Sequence, residues 1–250
     1  MSDSKPIADI KCDILSDKVW DNGKPKWQPI TMGSSIVCDG WVHGQTTAVF
    51  THFHEDHTWN IGRALPNCHH ILLTEPTYLA LRALKKIPER ANIERLPYNR
   101  SFTTANELEK IELINANHIA GSCQVLVTMK ETGETILYSG DFCYPELQTP
   151  KANVLVLDGT HGIPEYDFDT DKPSVLRRIF DLVKEEIGKD KPIEIQVNRG
   201  TMQDVMAELS KENDDGEFIP EDVPFLASKN EIALTEAIEY TYKESGCPIR

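Results

Sequence analysis

Thr51-His52-Phe53-His54-Glu55-Asp56-His57 follows directly on the apolar run Ala48-Val49-Phe50. Read as the end of a strand over Thr46–Thr51, this places His52 and His54 on one side, because side chains of an extended chain alternate with period two. Asp56 and His57 come where the chain turns into a helix-like stretch, predicted over Thr58–Leu65, and reach the same point from another direction. Three imidazoles and a carboxylate packed this densely are a metal-ligand pattern: Zn²⁺ takes His nitrogen and Asp oxygen, and a catalytic site keeps a position open for water.

The remaining ligands are sought at other strand ends. Ile111–Ala116 reads as a strand ending in Asn117-His118, and Ala120-Gly121-Ser122 turns the chain into the apolar strand Cys123–Met129. His118 supplies the third nitrogen expected of a catalytic zinc site. Thr135–Tyr138 is the next strand, and Ser139-Gly140-Asp141 closes it with a carboxylate placed to bridge two metals. Val154–Leu157 reads as a buried strand closed by Asp158-Gly159-Thr160-His161. Polar residues ending strands at His52, His118, Asp141 and Asp158 point to one shared edge of a layered sheet structure. His69 and His70 are neighbours in an extended stretch and point to opposite faces, so they are expected outside the site.

Around this centre the strands expected first are Ile10–Leu15 and Ser34–Asp39, with a helix opening at Thr74-Glu75-Pro76 and running to about Leu84. Beyond Asp167–Lys172 the pattern changes. Helices over Ser174–Ile187, Met202–Leu209 and Ile232–Tyr242 alternate with strands over Ile193–Val197 and Pro224–Ala227, an α/β arrangement. Two domains are therefore expected, 1–167 and 168–250.

With 250 residues, 40% hydrophobic and 26% charged, the chain can bury a sizeable core. It has no apolar run long enough to span a bilayer and no secretory pattern at its start, so no membrane partner and a cytoplasmic location are expected. The six cysteines lack C-x-x-C spacing and read as buried thiols. The net charge of −14 excludes a generally basic nucleic-acid surface. One local exception runs through Arg82, Lys85, Lys86, Arg90, Arg95 and Arg100, a candidate for tracking phosphates.

The stretch 51–57, His118 with Gly121-Ser122, and Ser139-Gly140-Asp141 together resemble the metallo-β-lactamase superfamily. The resemblance implies an αββα sandwich with a dinuclear zinc site at one sheet edge. It assigns His52, His54 and His118 to one metal, Asp56 and His57 to the other, and Asp141 to both. Asp158-Gly159-Thr160-His161-Gly162-Ile163-Pro164-Glu165-Tyr166-Asp167-Phe168 is similar to the aspartate motif of the β-CASP nucleases, above all the DNA cross-link repair and Artemis-type enzymes. Arg199-Gly200-Thr201-Met202-Gln203-Asp204 is more weakly similar to a β-CASP helix start, so 168–250 is expected to resemble part of a β-CASP domain. His161 stands where those relatives carry tyrosine, and no histidine follows it. The second metal is accordingly expected to be held more weakly than the first, with Mn²⁺ or Fe as alternatives to Zn²⁺.

What this implies chemically is hydrolysis by a water that zinc makes acidic, its pKa lowered from 15.7 to about 7. Asp56 and Asp141 would orient it, a metal together with His161 or a water would assist the leaving oxygen, and Asp158 would orient a ligand histidine from behind. The substrate expected is a DNA or RNA phosphodiester, single strands preferred. The alternative is a small β-lactam, ester or thioester, which the acidic net charge favours and the Asp158–Phe168 motif opposes.

Overall fold

The structure is a computed structural model; it describes residues 11–14, 20–21, 24–25, 29–89, 92–143, 148–160, 162, 171–189, 192–213, 216–220, 222–245 and 249. The chain forms two compact units that divide after Thr160.

In the first unit, β1 (Cys12–Ile14), β2 (Trp20–Asp21), β3 (Lys24–Pro25), β4 (Ile30–Met32), β5 (Ile36–Cys38) and β6 (Thr47–Val49) precede the helices α1 (Glu55–Thr58) and α2 (Ile61–Asn67). Then come β7 (His70–Leu73), α3 (Glu75–Ala83), β8 (Ile93–Arg95), β9 (Ser101–Thr103), β10 (Glu109–Asn115), β11 (Cys123–Met129), β12 (Thr135–Tyr138) and β13 (Val154–Val156). One sheet has the order β1-β4-β5-β6-β7-β8 and the other β13-β12-β11-β10-β9, with β2 and β3 a separate small ribbon.

The first sheet turns parallel from β5 onward, and its strands read as continuous apolar runs because both faces are covered. Ile36, Cys38, Val49 and Leu72 meet Ile111, Leu113, Val125, Val127, Ile136 and Tyr138 of the second sheet in one core. The alternate residues Val37, Ala48, Ile71 and Leu73 are also buried, as are Ile61, Ala64 and Leu65 of α2 and Ala80 and Leu81 of α3. Alternation thus gives the sandwich its second apolar face, on the side of the crossover helices. The fold is mixed α/β with two sheets, as the resemblance implied.

Glu109 ties the sheets together at the start of β10, opposite the end that carries His118. Although only 1% exposed, it accepts hydrogen bonds from the Ser34 backbone N–H at 2.7 Å and Oγ at 2.5 Å, from Ser35 Oγ at 3.0 Å and from Thr104 Oγ1 at 2.9 Å. Burial by itself would raise its pKa, but these donors outweigh it and hold the carboxyl below its ordinary value. A depressed carboxyl pKa contributes stability that is present above the unfolded value, about 4.3, and is lost as pH falls through the folded one. Glu109→Gln is therefore expected to cost about 3 kcal/mol at pH 7, with the gap to wild type narrowing below pH 4. Urea unfolding at both pH values checks this; an equal gap at each would refute the assignment.

In several places the structure departs from the sequence reading. β6 ends at Val49, so His52 and His54 sit in a loop rather than on a strand: after Phe50 donates to the Leu72 carbonyl at 3.1 Å the ladder stops, and Thr51 N–H turns to the Asp39 carboxylate instead. The helix expected over Thr58–Leu65 is two helices, broken at Trp59-Asn60, where Asn60 leaves helical geometry at φ −93°, ψ 11°. β13 is an edge strand with Leu155 55% exposed, not a buried one. Cys38, Cys68 and Cys123 are buried thiols whose pKa burial pushes up.

The second unit contains α4 (Lys172–Ile187), α5 (Thr201–Leu209) and α6 (Lys229–Glu244), capped by Asp171 and Ser228 on α4 and α6. Phe180, Val183, Val205, Leu209 and Ile219 form its core, with Ile195 and Phe225 packed against it. The strands expected over Ile193–Val197 and Pro224–Ala227 are not formed: both runs pack apolar side chains on the helices but enter no sheet among the described residues. Gln203 is structural. Its Oε1 accepts from Gly200 N–H at 2.8 Å and its Nε2 donates to Thr235 Oγ1 at 3.0 Å. Asp204 receives Tyr242 OH at 2.9 Å and pairs with Lys172 at 2.8 Å, joining all three helices.

Candidate metal centre

Both sheets deliver their functional residues at strand ends. β10 and β12 each run antiparallel to β11, so they share a direction; the loops after them carry His118 and Asp141. β5 and β6 are likewise parallel to each other and lead into Asp39 and into the 50–54 loop. The tertiary fold brings these ends together.

His52 Nε2 lies 2.9 Å from His54 Nδ1, and His118 Nε2 lies 3.3 Å from the same His54 nitrogen. Asp141 Oδ2 is 3.9 Å from His52 Nε2 and 3.7 Å from His118 Nε2. The four donor atoms all lie within 4.8 Å of one another. Ligands about 2.1 Å from a tetrahedral zinc are separated by about 3.4 Å, so three nitrogens and one oxygen at these spacings could hold a single ion. Three imidazole nitrogens turned toward one point, one from a fully buried ring, have no stable arrangement without a shared cation or proton. The residues fit a metal. Burial, then the neighbouring imidazoles, hold the His52 pKa well below the ordinary value, which keeps the ring in the neutral form a metal needs.

A second group gathers about His57 Nε2, with Asp141 Oδ1 at 3.1 Å and Asp56 Oδ2 at 3.8 Å. Asp56 is 64% exposed and stands at the rim. Burial alone would lower the His57 pKa, but the carboxylates of Asp39 and Asp141 outweigh it and push it up to about 11. The same contact with His57 holds Asp141 below the ordinary carboxyl value against the opposing effect of burial.

Asp39 is the residue that sequence reasoning missed. It is 7% exposed and sits beyond β5 in the left-handed region at φ 51°. Its Oδ1 accepts Thr51 N–H at 2.7 Å, and its Oδ2 accepts Thr51 Oγ1 at 2.8 Å and Tyr138 OH at 3.0 Å while lying 2.7 Å from His57 Nδ1. A carboxylate on Nδ1 takes that nitrogen's proton in hydrogen bonding and leaves Nε2 to face the site. The signal available was Cys38-Asp39-Gly40, an aspartate ending an apolar strand like those at 141 and 158. The carboxylate seen against a histidine ring of the cluster is that of Asp39, while Asp158 Oδ1 accepts Thr160 N–H at 3.0 Å and Thr160 Oγ1 at 2.7 Å, closing its own turn. His161 and residues 163–168 of the motif lie outside the described residues.

The ligand loops are set by glycine and hydroxyl contacts. Ser122 Oγ accepts His118 N–H at 3.0 Å and Ile119 N–H at 3.2 Å. Gly121, at φ +83°, brings its backbone so close to α3 that a Cβ would lie 2.8 Å from Pro76, from Thr74 Oγ1 and from Thr77 N. Gly140, at φ +52°, would place a Cβ 2.9 Å from the Cys123 carbonyl oxygen. Glycine at these two positions is what lets His118 and Asp141 approach the first sheet.

Of the basic stretch, Arg82 pairs with Glu89 at 3.9 Å, Lys86 with Glu55 at 3.2 Å and Arg95 with Glu75 at 3.2 Å. Arg90 lies outside the described residues, leaving Lys85 and Arg100 exposed without an ion pair among them. Arg199 is paired with Glu231 at 2.7 Å. His70 in β7 has its Nδ1 2.5 Å from Oε1 of Glu94 in β8. No helix is long and apolar enough to cross a membrane among the described residues.

No protein-family model matches the chain. It is 36% identical over 118 residues to an uncharacterized protein in the lig 3' region of Acidianus ambivalens, covering 46% of this chain and 81% of that protein. It is also 29% identical over 135 residues to the DNA cross-link repair 1A protein of Mus musculus, covering 52% of this chain but only 13% of that protein. Among solved structures, the metallo-beta-lactamase fold protein YhfI of Bacillus subtilis aligns at 14% identity and a TM-score of 0.36, over 48% of this chain and 55% of that one.

Proposed function

From a chain that belongs with the Acidianus protein and to the metallo-β-lactamase superfamily, where it is most like the DNA cross-link repair branch, we propose a metal-dependent nuclease that hydrolyses DNA or RNA phosphodiesters. The observation that carries the proposal is the division of one carboxylate between two donor groups: Asp141 Oδ2 faces His52 and His118 while Oδ1 faces His57. A single side chain shared in this way supports a two-cation site, the arrangement suited to in-line displacement at a phosphoryl centre.

In this reading His52, His54, His118 and Asp141 hold the tighter metal, and Asp56, His57 and Asp141 the weaker one. Zn²⁺ fits the nitrogen-rich first group, and Mn²⁺ or Fe can serve the carboxylate-richer second. When bound, the metals supply Lewis acidity and a water that ionises near neutral pH. Asp56, exposed at the rim, orients the attacking water and accepts its proton. Asp39 holds the His57 ring in register with Asp141. Residues 168–250 are proposed as a β-CASP-like part.

The test sets nucleic acid against small substrates. Labelled single-stranded DNA and RNA, each with and without a 5′-phosphate, are incubated with metal-loaded protein beside chromogenic β-lactam and thioester substrates. Chelator-sensitive cleavage of the oligonucleotides is the expected result. Intact oligonucleotides alongside turnover of a lactam or thioester would overturn the nuclease reading in favour of a small-substrate hydrolase.

A further inference from the structure

We propose that Trp59 is a stacking platform for a nucleobase at the mouth of the metal centre, an inference that rests on the nuclease reading and names how the substrate is gripped. α1 spans Glu55–Thr58 with Trp59 as its C-terminal cap in helical geometry, φ −53° and ψ −43°. Thr58 of this turn is buried, whereas Glu55, Asp56 and Trp59 are exposed, Trp59 by 41%. Residues three apart on a helix are neighbours, about 5–6 Å between Cβ atoms, so Trp59 stands beside Asp56, whose Oδ2 is 3.8 Å from His57 Nε2. Helical side chains lean toward the N-terminus and cover the preceding turn. Helix geometry therefore sets the indole of Trp59 over the turn that carries Asp56.

Charge explains why an aromatic surface is needed there. The protein carries −14 overall, and three cations of its most basic stretch are already paired with Glu89, Glu55 and Glu75. One of these acids, Glu55, and a further one, Asp56, lie on the same turn as the indole. A polyanion approaching this rim gains little from long-range attraction, so beyond the metals themselves a contact that does not depend on charge adds to its grip. Stacking on an aromatic ring meets that requirement for every base, because each presents a π-face, and it favours single strands whose bases are accessible. The base bound is one next to the phosphate held at the metals, since one helical turn separates the ring from Asp56.

The experiment uses the full metal-loaded chain, a single-stranded DNA oligonucleotide, and the same oligonucleotide with an abasic site at each position in turn. Trp59→Ala is expected to lose about tenfold in kcat/KM on the intact strand, mainly through KM, with metal content unchanged. Wild type should lose a similar factor when one abasic position lies beside the cleaved bond, and Trp59→Ala should lose nothing further there. Trp59→Phe should recover most of the loss. If wild type cleaves but Trp59→Ala is unaffected, or the two losses multiply, stacking is overturned while the nuclease reading stands. If wild type leaves all the oligonucleotides intact, the nuclease reading itself falls and the inference with it. Trp59 is 41% exposed, and circular dichroism at matched concentration separates misfolding of the variants from lost binding.

Discussion

Asp141→Asn should lower turnover by about a thousandfold or more and remove at least one metal, while the fold survives. The substitution preserves size and shape in a side chain that is 29% exposed, so packing is little changed. Electrostatically it is severe. Asp141 faces His57 through Oδ1 at 3.1 Å and the pair His52 and His118 through Oδ2 at 3.9 and 3.7 Å. An amide offers one acceptor oxygen and turns a donor NH₂ toward the other group, so one of the two sets loses its oxygen and both lose a negative charge. Removing a single donor that stabilises charge in a transition state typically costs about 10²–10³ in rate, and here two donor sets are affected. Elemental analysis together with kcat at saturating Zn²⁺ and Mn²⁺ reads the effect. Retention of both metals with turnover within tenfold of wild type would refute the bridging assignment.

Asp39→Asn should weaken binding of the second metal by about 10- to 100-fold, the usual cost of losing a partner that orients a ligating histidine, while the first metal stays bound. Asp39 receives Thr51 N–H, Thr51 Oγ1 and Tyr138 OH and lies 2.7 Å from His57 Nδ1. In the asparagine variant the Thr51 N–H, which can only donate, keeps the amide oxygen at the Oδ1 position, so the NH₂ takes the Oδ2 position facing Nδ1, and the Thr51 and Tyr138 hydroxyls must turn to accept from it. The imidazole then shifts its proton to Nε2, the nitrogen turned toward Asp141, and that nitrogen can no longer ligate. Asp39→Ala is a poorer probe because it strands the buried Tyr138 hydroxyl and the Thr51 N–H. A metal titration followed by calorimetry should show the first step unchanged and the second shifted. Two unchanged steps would show that Asp39 serves folding alone.

The cluster of candidate donors was legible in the chain because strand ends announce themselves. His118 and Asp141 each follow an apolar run and precede a glycine turn or close one, and a polar residue at such a position has few structural reasons to be there. Strand boundaries were clear for β11 and β12, whose apolar runs are bounded by the turn residues Gly121-Ser122, Thr132-Gly133 and Ser139-Gly140. They failed for 193–197 and 224–227, because an alternating run specifies one apolar face but not a hydrogen-bonding neighbour, and that face is satisfied by packing on helices. The break at Trp59-Asn60 was invisible for a similar reason: apolar periodicity continues across it into α2.

The sequence alone determined which chemical groups are present and that they lie at strand ends, since both follow from local pattern. The pairing of those groups was decided by tertiary structure. Asp39 is 18 residues from His57 and 99 from Tyr138, and no spacing rule links such positions until the parallel strands β5 and β6 set their ends side by side. The same holds for Glu109, which looks like a surface acid in a strand yet lies 75 residues from the Ser34 that binds it. It also holds for Gly121, whose lack of a side chain matters only because α3 packs against it. Ligand identity is a property of the chain, whereas ligand orientation and charge depend on which distant neighbours the fold brings within about 3 Å.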